Sequence, residues 1–208
     1  MTDRQLTVGR YDRPTIAKAF YARTANLHLQ ARDKYIARMK QTFTHPHILD
    51  VGCGIGRDVR SFLESGLSAV GVDGAAENLK LAHENLGIPQ SLLFQADVTN
   101  MPFLENSFNG IWMVAVLGHF EHPDNQQVLN ELVRVAKPGA LFFSRVRMGN
   151  YSGMQERDGT TRFYRHYQPT ELKDLMRNAG LENIRFGYAK GEPDHPAKEW
   201  IHAWANVG

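Results

Sequence analysis

The stretch ILDVGCGIGRD, residues 48–58, places glycines at 52, 54 and 56 between an apolar segment and a helix-forming segment. Glycine permits a tight turn and lets the backbone approach a ligand closely. A dinucleotide-binding loop of the form G-x-G-x-x-G would place its third glycine at position 57, which is Arg57. Asp50 stands two residues before the first glycine, where a carboxylate suits a cationic amine better than a pyrophosphate. The loop therefore predicts a ligand that carries an ammonium group.

Short apolar runs alternate with helical stretches on both sides of this loop. We predict strands at 47–51, 68–73, 91–96, 108–116 and 140–146, with helices at 57–64, 75–86 and 125–135. A helix at 170–179 and strands at 181–188 and 200–207 follow, and the short join 191–198 makes these two strands antiparallel. One helix over about 14–41 is predicted as a partial lid, and 150–168 as a loop or lid. The pattern is typical of a three-layer α/β sandwich with a mostly parallel sheet.

Composition limits the classes of protein that fit. The 208 residues suit one α/β domain, and a formal charge of +2 gives no basic excess of the kind that nucleic-acid binding requires. Cys53 is the single cysteine, which fits a reducing compartment. The N-terminus lacks the apolar core of a secretory signal, and the longest apolar run, 111–117, is far too short for a membrane span. We expect a cytoplasmic protein without nucleic-acid or membrane partners, as a monomer or a homodimer.

Three carboxylates recur where predicted strands end. They are Asp50, Asp73 and Asp97, which are 23 and 24 residues apart in succession. In an open parallel sheet the carboxyl ends of the strands share one crevice, where ligands bind. We expect Asp73 to accept two ribose hydroxyls and Asp97 to accept an exocyclic adenine amine, with apolar walls from Val98 and Met101.

These segments resemble the class I S-adenosylmethionine-dependent methyltransferases, in particular the small-molecule members. The resemblance covers roughly residues 45–186 and rests on LDVGCGIGRD, VGVD, QADVTNMPF, SFNGIW and RVAKPGALFFS. It implies a seven-stranded sheet whose last strand is antiparallel, with S-adenosylmethionine as the cofactor. The predicted cofactor contacts are Tyr11, Asp50, Gly52, Cys53, Gly54, Asp73, Gly74, Asp97, Val98 and Ala115. Asn109 departs from the family, which usually has Asp there, at a position that tends to be structural.

The resemblance also suggests how the chain is divided. We expect one methyltransferase domain, with an N-terminal helical cap at 1–44 and a cofactor-binding core at 45–146. A lid, a helix and a C-terminal hairpin fill 147–208.

Catalytic and substrate residues are predicted after the fourth and fifth strands. His119 is a candidate base or substrate hydrogen-bond partner, and equally a loop histidine that caps a helix. His45, His47, His119 and His122 lack the spacing of a metal site, so no metal is predicted. The stretch 144–168 holds five arginines, at 145, 147, 157, 162 and 165, with only Glu156 and Asp158 as nearby acids. It is either a solvated lid or a grip for an anionic small molecule. The predicted substrate contacts are Tyr21, His119, Arg147, Arg162 and Tyr164.

Three other functions compete with methylation of a small molecule. A methyltransferase acting on RNA or protein is disfavoured because there is no long basic stripe, and because Ala115-Val116-Leu117-Gly118 stand after the fourth strand in place of an Asn/Asp-Pro-Pro-Tyr-like tetrad. A nicotinamide-dependent oxidoreductase is disfavoured by the glycine spacing and by the lack of a Tyr-x-x-x-Lys pair. A non-catalytic protein that binds S-adenosylmethionine stays open, since a cofactor site does not prove turnover. The sequence does not indicate which atom of the substrate is methylated.

Overall fold

The computed structural model describes residues 8–157, 160–190 and 199–208. Helices α1 (Pro14–Thr24) and α2 (Gln30–Thr42) precede the first strand. The alternating part then comprises β1 (His47–Val51), α3 (Arg57–Glu64), β2 (Ser68–Asp73), α4 (Ala76–Leu86), β3 (Leu93–Gln95), β4 (Phe108–Val114), α5 (Asp124–Val135) and β5 (Ala136–Arg147). The remaining elements are β6 (Ser152–Arg157), β7 (Thr160–Arg165), α6 (Pro169–Asn178), β8 (Leu181–Lys190) and β9 (Glu199–Val207).

Seven strands form one sheet in the order β3-β2-β1-β4-β5-β9-β8. The strands β1 to β5 pair in parallel, whereas β9 is antiparallel to both of its neighbours, β5 and β8. The predicted mostly parallel, seven-stranded sheet with an antiparallel C-terminal strand is therefore confirmed. Because β1, β2, β4 and β5 run the same way, the loops that follow them meet at one edge of the sheet.

Side chains alternate between two cores, one on each face of the sheet. Ile48, Trp112 and Phe143 pack towards α2, α3 and α4. Their chain neighbours Leu49 and Phe142 pack on the opposite face, towards α5 and α6. This period of two is the pleat of a strand buried on both sides, and it confirms the three-layer architecture.

The prediction of a single N-terminal helix over 14–41 is wrong, because the chain forms two helices there. Thr24 closes α1: its Oγ1 donates to the carbonyl of Phe20 (2.7 Å), and its own carbonyl accepts from Leu27 N (3.0 Å). Leu29 then adopts an extended conformation with φ −126° and buries its side chain in the core beneath α2. Hydrophobic burial of Leu29 thus overrides the helix propensity of the intervening residues.

The predicted loop at 150–168 also contains regular structure. Strands β6 and β7 pair as an antiparallel, two-stranded sheet of their own. Strand β7 packs along the turn that follows β4, and its central residues Arg162, Phe163 and Tyr164 are all buried. The predicted third strand, 91–96, is shorter than expected, since residues Gln90–Leu92 form a 3₁₀ turn.

Candidate active site

A cleft of about 770 Å³ opens at the carboxyl edge of the sheet. Its floor is formed by the loops that follow β1, β2, β3 and β4. Helix α1 and the helical turn at residues 8–11 form one wall, and the ends of β5, β7 and β9 form the other. Parallel sheets bind their ligands at this edge. The site thus lies where three segments that are distant in sequence converge.

The glycine loop lines the cleft through two of its three glycines. Gly52 and Gly54 have φ of +63° and +54°, in the left-handed region that other residues rarely adopt. A Cβ on Gly52 would lie 2.3 Å from a methyl of Val116, and a Cβ on Gly54 would lie 3.1 Å from the Phe20 ring. Gly56 instead faces Ile88, where a Cβ would lie 2.4 Å from the Ile88 Cδ1. The third glycine therefore allows helix packing and does not line the cleft.

Asp73, at the end of β2, ties two of the cleft loops together. Its Oδ2 accepts a hydrogen bond from Gly54 N and its Oδ1 accepts one from Ala75 N, both at 2.8 Å. Burial raises the pKa of Asp73 although these two N–H donors act to lower it. Gly74 also lines the cleft, and a Cβ there would lie 3.0 Å from the side chain of Val8. The predicted ribose carboxylate thus has a fixed orientation at the cleft floor.

Asp97 and Val98, after β3, line the cleft as predicted, but Met101 does not. Asp97 Oδ1 accepts hydrogen bonds from Thr99 N (2.9 Å) and Thr99 Oγ1 (2.8 Å). Val98 is buried against the cleft. Met101 packs in the core instead, because its backbone N donates to Glu131 Oε1 (2.7 Å) and draws the chain inward. The predicted apolar wall is therefore formed by Val98 without Met101.

Asp50 and Cys53 lie in a side pocket of about 60 Å³ that adjoins the cleft and shares Gly52 and Gly54 with it. Asp50 Oδ2 is buried and has no hydrogen-bond partner among the described residues. Burial raises the pKa of Asp50 well above its ordinary value, and the nearby Asp58 carboxylate raises it further. The Cys53 thiol is directed at the backbone of β2, since a Cβ on Gly71 would lie 2.7 Å from its Sγ. Neither predicted contact lines the main cleft.

A buried ion-pair network lies beneath the side pocket. Asp58 Oδ1 and Oδ2 accept two hydrogen bonds from Arg57 at 2.8 Å. Arg32, on α2, donates to Oδ1 at 2.6 Å, and the Trp112 indole donates to Oδ2 at 2.9 Å. Burial alone would raise the pKa of Asp58, but Arg57, Trp112 and Arg32 outweigh it and lower the pKa. The network joins the N-terminal cap to the glycine loop.

Ala115 lines the cleft just after β4 and carries backbone strain. Its φ is +60°, which costs an alanine about 1 kcal/mol or more. Its backbone N donates to the carbonyl of Arg145 on the neighbouring strand (2.9 Å). Strained residues of this kind cluster at functional sites.

His119 ends a 3₁₀ turn, Leu117–His119, and lines the cleft. Its Nδ1 lies 2.9 Å from the carbonyl oxygen of Phe163 on β7. Because a carbonyl only accepts, Nδ1 carries the proton and the neutral ring keeps a lone pair on Nε2. Burial, together with the charges of Arg162 and Arg147, lowers the pKa of His119 to about 4, although the Phe163 carbonyl opposes this. The predicted helix-capping role is not seen, since the ring bonds to β7.

Cationic and aromatic side chains alternate along the far wall. Arg145 lies over the Trp200 ring with its Cζ 4.0 Å from the ring centroid, and Arg147 lies 5.3 Å from the same ring and 4.7 Å from the Tyr164 ring. Arg162 lies 6.0 Å from the Tyr164 centroid and 4.6 Å from that of Tyr11. Such contacts hold a guanidinium by cation–π attraction. The members of this stack, Arg145, Trp200, Arg147, Tyr164, Arg162 and Tyr11, all line the cleft.

The two tyrosines of the N-terminal segment lie in different environments. The Tyr11 hydroxyl accepts a hydrogen bond from Arg162, and its ring lies 6.0 Å from that of His119. Tyr11 was predicted as a cofactor contact, but these neighbours place it beside the predicted substrate residues. Tyr21 is not among the residues that line the cleft in the described ranges and packs against Ala17, Ile55 and Leu81. The helical phase of α1 turns Phe20 towards the cleft and Tyr21 away from it.

Several residues that line the cleft were missed from sequence. They are Asp12, Phe20, Arg23 and Thr24 near α1, Asn78 at the start of α4, and Trp200 on β9. The register of β9 against β5, which pairs Trp200 with Arg147, is the signal that would have found Trp200. The side chains of Arg157 and Asp158, both considered from sequence, lie outside the described residues.

Residues 8–157, 160–190 and 199–208 provide neither a metal-binding cluster nor a membrane-spanning helix. They contain no group of three His, Cys, Asp or Glu side chains arranged to hold a metal ion. Every helix in the same ranges is too short or too polar to cross a bilayer.

Comparison with known proteins finds relatives of this chain among methyltransferases. Residues 49–144 match a family model described as a methyltransferase domain. Sterol 4-C-methyltransferase strm-1 of Caenorhabditis elegans is 30% identical over 172 residues, which cover 80% of this chain and 47% of that protein. The chain spans about a third to a half of the length of the curated relatives it matches.

Two solved structures share the fold at low identity. A SAM-dependent methyltransferase from Methanosarcina mazei has a TM-score of 0.70 and 20% identity, covering 87% of this chain and 99% of that one. Phosphoethanolamine N-methyltransferase 2 of Haemonchus contortus, in complex with phosphomonomethylethanolamine and S-adenosylhomocysteine, has a TM-score of 0.75 and 15% identity, covering 100% and 60%. With this sheet order and the match over residues 49–144, the chain contains a methyltransferase domain and has the fold of the class I S-adenosylmethionine-dependent methyltransferases.

Proposed function

We propose that the protein transfers a methyl group from S-adenosylmethionine to a small, anionic metabolite. One observation carries this proposal: a single cleft has the glycine loop and strand-end carboxylates on one side and His119 with an arginine-rich wall on the other. We also propose that residues 1–208 act as one methyltransferase domain, in which the N-terminal segment and the β6–β7 hairpin cap the core.

The residues on the floor of the cleft fit the cofactor. Asp50 Oδ2, buried in the side pocket, would accept from the ammonium group, and the glycine turn leaves space that a Cβ would fill. Asp73 would hold the ribose and Asp97 with Val98 the adenine, while Gly74 and Ala115 would flank the cofactor. When bound, S-adenosylmethionine supplies an electrophilic methyl group and leaves as S-adenosylhomocysteine. The protein positions the acceptor for in-line attack, which can account for most of the rate enhancement.

The arginine stack favours a substrate with a carboxylate or a phosphate. Arg147 and Arg162 line the cleft and are held against Tyr164, so their guanidinium groups are ordered before a ligand arrives. Ordered guanidinium groups bind such anions by charge-assisted hydrogen bonds. The Haemonchus contortus enzyme, whose fold this chain shares, was solved with a phosphorylated amine bound. That complex supports an anionic acceptor but does not identify it.

The tautomer of His119 suits a methyl acceptor whose reacting oxygen or nitrogen carries a proton. Because Nδ1 donates to the Phe163 carbonyl, Nε2 is the proton acceptor of the ring. A hydroxyl or an amine of the substrate would donate to Nε2 and lose its proton there as its lone pair attacks the methyl carbon. We therefore propose methylation at oxygen or nitrogen, with His119 as the catalytic base.

Ligand binding tests the cofactor half of this proposal directly. In isothermal titration calorimetry, S-adenosylhomocysteine should bind and NAD should not. Asp73→Ala should weaken S-adenosylhomocysteine binding by roughly 2–4 kcal/mol, through the loss of hydrogen bonds to a charged group. Asp174→Ala, which removes an exposed carboxylate from α6, is the matched control and should bind like the wild type. Tight NAD binding, or an unchanged affinity of Asp73→Ala, would contradict the proposal.

A further inference from the structure

The imidazole of His119 is enclosed by strand β7 and the N-terminal segment. The Phe163 carbonyl holds Nδ1, the Tyr164 ring centroid lies 5.0 Å from the His119 ring, and the Tyr11 centroid lies 6.0 Å from it. Histidine bases are often oriented by a carboxylate, whose negative charge stabilises the imidazolium. Here the orienting group is a neutral carbonyl. His119 thus lacks, on its Nδ1 side, the charge that would favour protonation.

Two guanidinium groups pack on the far sides of the two tyrosine rings that contact the imidazole. Arg147 packs on Tyr164 at 4.7 Å, and Arg162 packs on Tyr11 at 4.6 Å and donates to its hydroxyl. Both charges oppose protonation of His119. The second arginine of β7, Arg165, is paired with Glu171.

The acids that line the cleft are at the other end. Among the described residues they are Asp12, Asp73 and Asp97, which belong to the cofactor side. Among the described residues, the groups that face His119 from the elements packed against it are Tyr11 of the N-terminal segment, Arg147 of β5, and Arg162 and Tyr164 of β7. The described charges nearest the imidazole are therefore positive.

We infer that the anionic group of the substrate, by pairing with Arg147 and Arg162, makes His119 a stronger proton acceptor while the substrate is bound. The inference rests on the proposed function, because it requires an anion at these arginines and a proton-bearing acceptor at Nε2. An anion that pairs with both guanidinium groups offsets the two charges nearest the ring. The same contacts that select the substrate then strengthen the base that receives its proton. A neutral molecule of similar shape would enter the cleft without activating His119.

The experiment measures the protonation of His119 by NMR in the complex with S-adenosylhomocysteine, with ¹⁵N-labelled histidine and inorganic phosphate as the probe. Potassium chloride at equal ionic strength separates anion binding from general screening. We expect phosphate to move the midpoint of the His119 titration upward by about one pH unit, the size of a charge–charge interaction across one ring at a protein surface. In the absence of phosphate the ring should be the Nδ1–H tautomer.

Variants show whether the arginines cause the effect. Arg162→Gln and Arg147→Gln should each raise the midpoint without phosphate, by removing a positive charge, and should weaken the response to phosphate. Arg185→Gln, an exposed arginine of the edge strand β8, makes the same charge change away from the cleft and should behave like the wild type.

Three results would overturn the inference. The first is a midpoint of the His119 titration that phosphate does not change, whether or not phosphate binds. The second is a response to phosphate that persists in both Arg147→Gln and Arg162→Gln. The third is an Nε2–H tautomer in the wild type. The proposed function fails separately, if S-adenosylhomocysteine does not bind in the first place.

Discussion

Asp50 is a buried carboxylate, and its Oδ2 has no hydrogen-bond partner among the described residues. Its pKa is raised by burial and by Asp58, so the folded protein holds a proton on Asp50 at pH values where the unfolded chain has released it. The free energy of unfolding of the unliganded protein therefore falls as pH rises from about 4 through the folded pKa of Asp50. Asp58 acts in the opposite direction, since its pKa is lowered and its contribution is lost as pH falls.

The first prediction is that Asp50→Asn stabilises the unliganded protein at pH 8 while it weakens cofactor binding. The melting temperature should rise by about 2–4 °C, the equivalent of 1 kcal/mol in a chain of this length, and the difference should shrink towards pH 5. The dissociation constant of S-adenosylhomocysteine should rise about 10- to 100-fold. Thermal melts at both pH values and calorimetry check the two halves. A variant that is less stable at pH 8 would show that Asp50 has a cation partner already.

Gly118 is where β7 touches the turn that carries His119. A Cβ on Gly118 would lie 2.9 Å from the carbonyl oxygen of Arg165, and its φ is outside the left-handed region, so only contact opposes a side chain. The contact is with backbone, which cannot rotate aside as a side chain would.

Gly118→Ala should therefore push β7 away from the turn and lengthen the contact between His119 and the Phe163 carbonyl. We expect a loss of about 1–3 kcal/mol of stability, the usual result of overpacking, and a mixture of His119 tautomers by NMR. Gly187→Ala on β8 is the matched control, because its Cβ would lie 4.0 Å from the nearest atom, on His202. Equal melting temperatures for the two variants would show that β7 is free to shift.

The residues that sequence predicted best stand at strand ends. The spacing of Asp73 and Asp97 fixed their placement at the carboxyl edge, because strand polarity and sheet order leave little freedom there. Phe20 and Tyr21 were harder to assign, since neighbours on one helix point only about 100° apart and Phe20 lines the cleft while Tyr21 packs beside it. Their orientation depends on how α1 ends at Thr24, which no local pattern indicates.

At the scale of elements, the regular βαβ part was predicted, whereas the break in the N-terminal helix and the β6–β7 pairing in the lid were not. Periodicity identifies β1 to β5 because each is buried on both faces. The break between α1 and α2 depends on the long-range burial of Leu29, and the β6–β7 pairing depends on contact with the turn at Leu117–His119. Neither contact has a local signature, although α1 and β7 contribute to opposite walls of the cleft.

Asp58 links the N-terminal cap to the glycine loop, because it forms ion pairs both with Arg32 of α2 and with Arg57. Asp58→Ala would leave the buried Arg32 and Arg57 without their shared carboxylate. Breaking one partner of a buried network typically costs about 3–5 kcal/mol, which lowers the melting temperature of a chain this long by about 10 °C.

The exposed pair Arg60–Glu64 on α3 provides the control for that prediction. Glu64→Ala removes one carboxylate from a solvent-exposed ion pair in the same helix and should cost about 0–1 kcal/mol. Thermal and urea unfolding of the two variants measure the difference. If Asp58→Ala were as mild as Glu64→Ala, water would have to reach the two arginines, and the network would not be the joint that the hydrogen bonds suggest.

At the scale of the whole molecule, a formal charge of +2 conceals a separation of charge across one cleft. The acids Asp73 and Asp97 belong to the floor, whereas Arg145, Arg147 and Arg162 belong to the far wall. The net charge of the sequence does not reveal this separation, because the far wall is assembled from three strands that are distant in sequence, β5, β7 and β9. The far wall therefore presents more positive charge to a ligand than the floor, where Asp73 and Asp97 offset Arg57.

This separation predicts that the two halves respond differently to salt. S-adenosylhomocysteine has no net charge at neutral pH and binds through local hydrogen bonds, so its dissociation constant should change by less than about threefold between 0.1 and 1 M KCl. Inorganic phosphate depends on the guanidinium groups, and the Debye length falls from about 10 Å to about 3 Å over that range, so its affinity should fall at least about tenfold. Calorimetry with each ligand measures both. The Arg185→Gln protein should retain the salt dependence of phosphate binding, while Arg162→Gln should reduce it. If both ligands respond to salt alike, the wall does not act as an anion site.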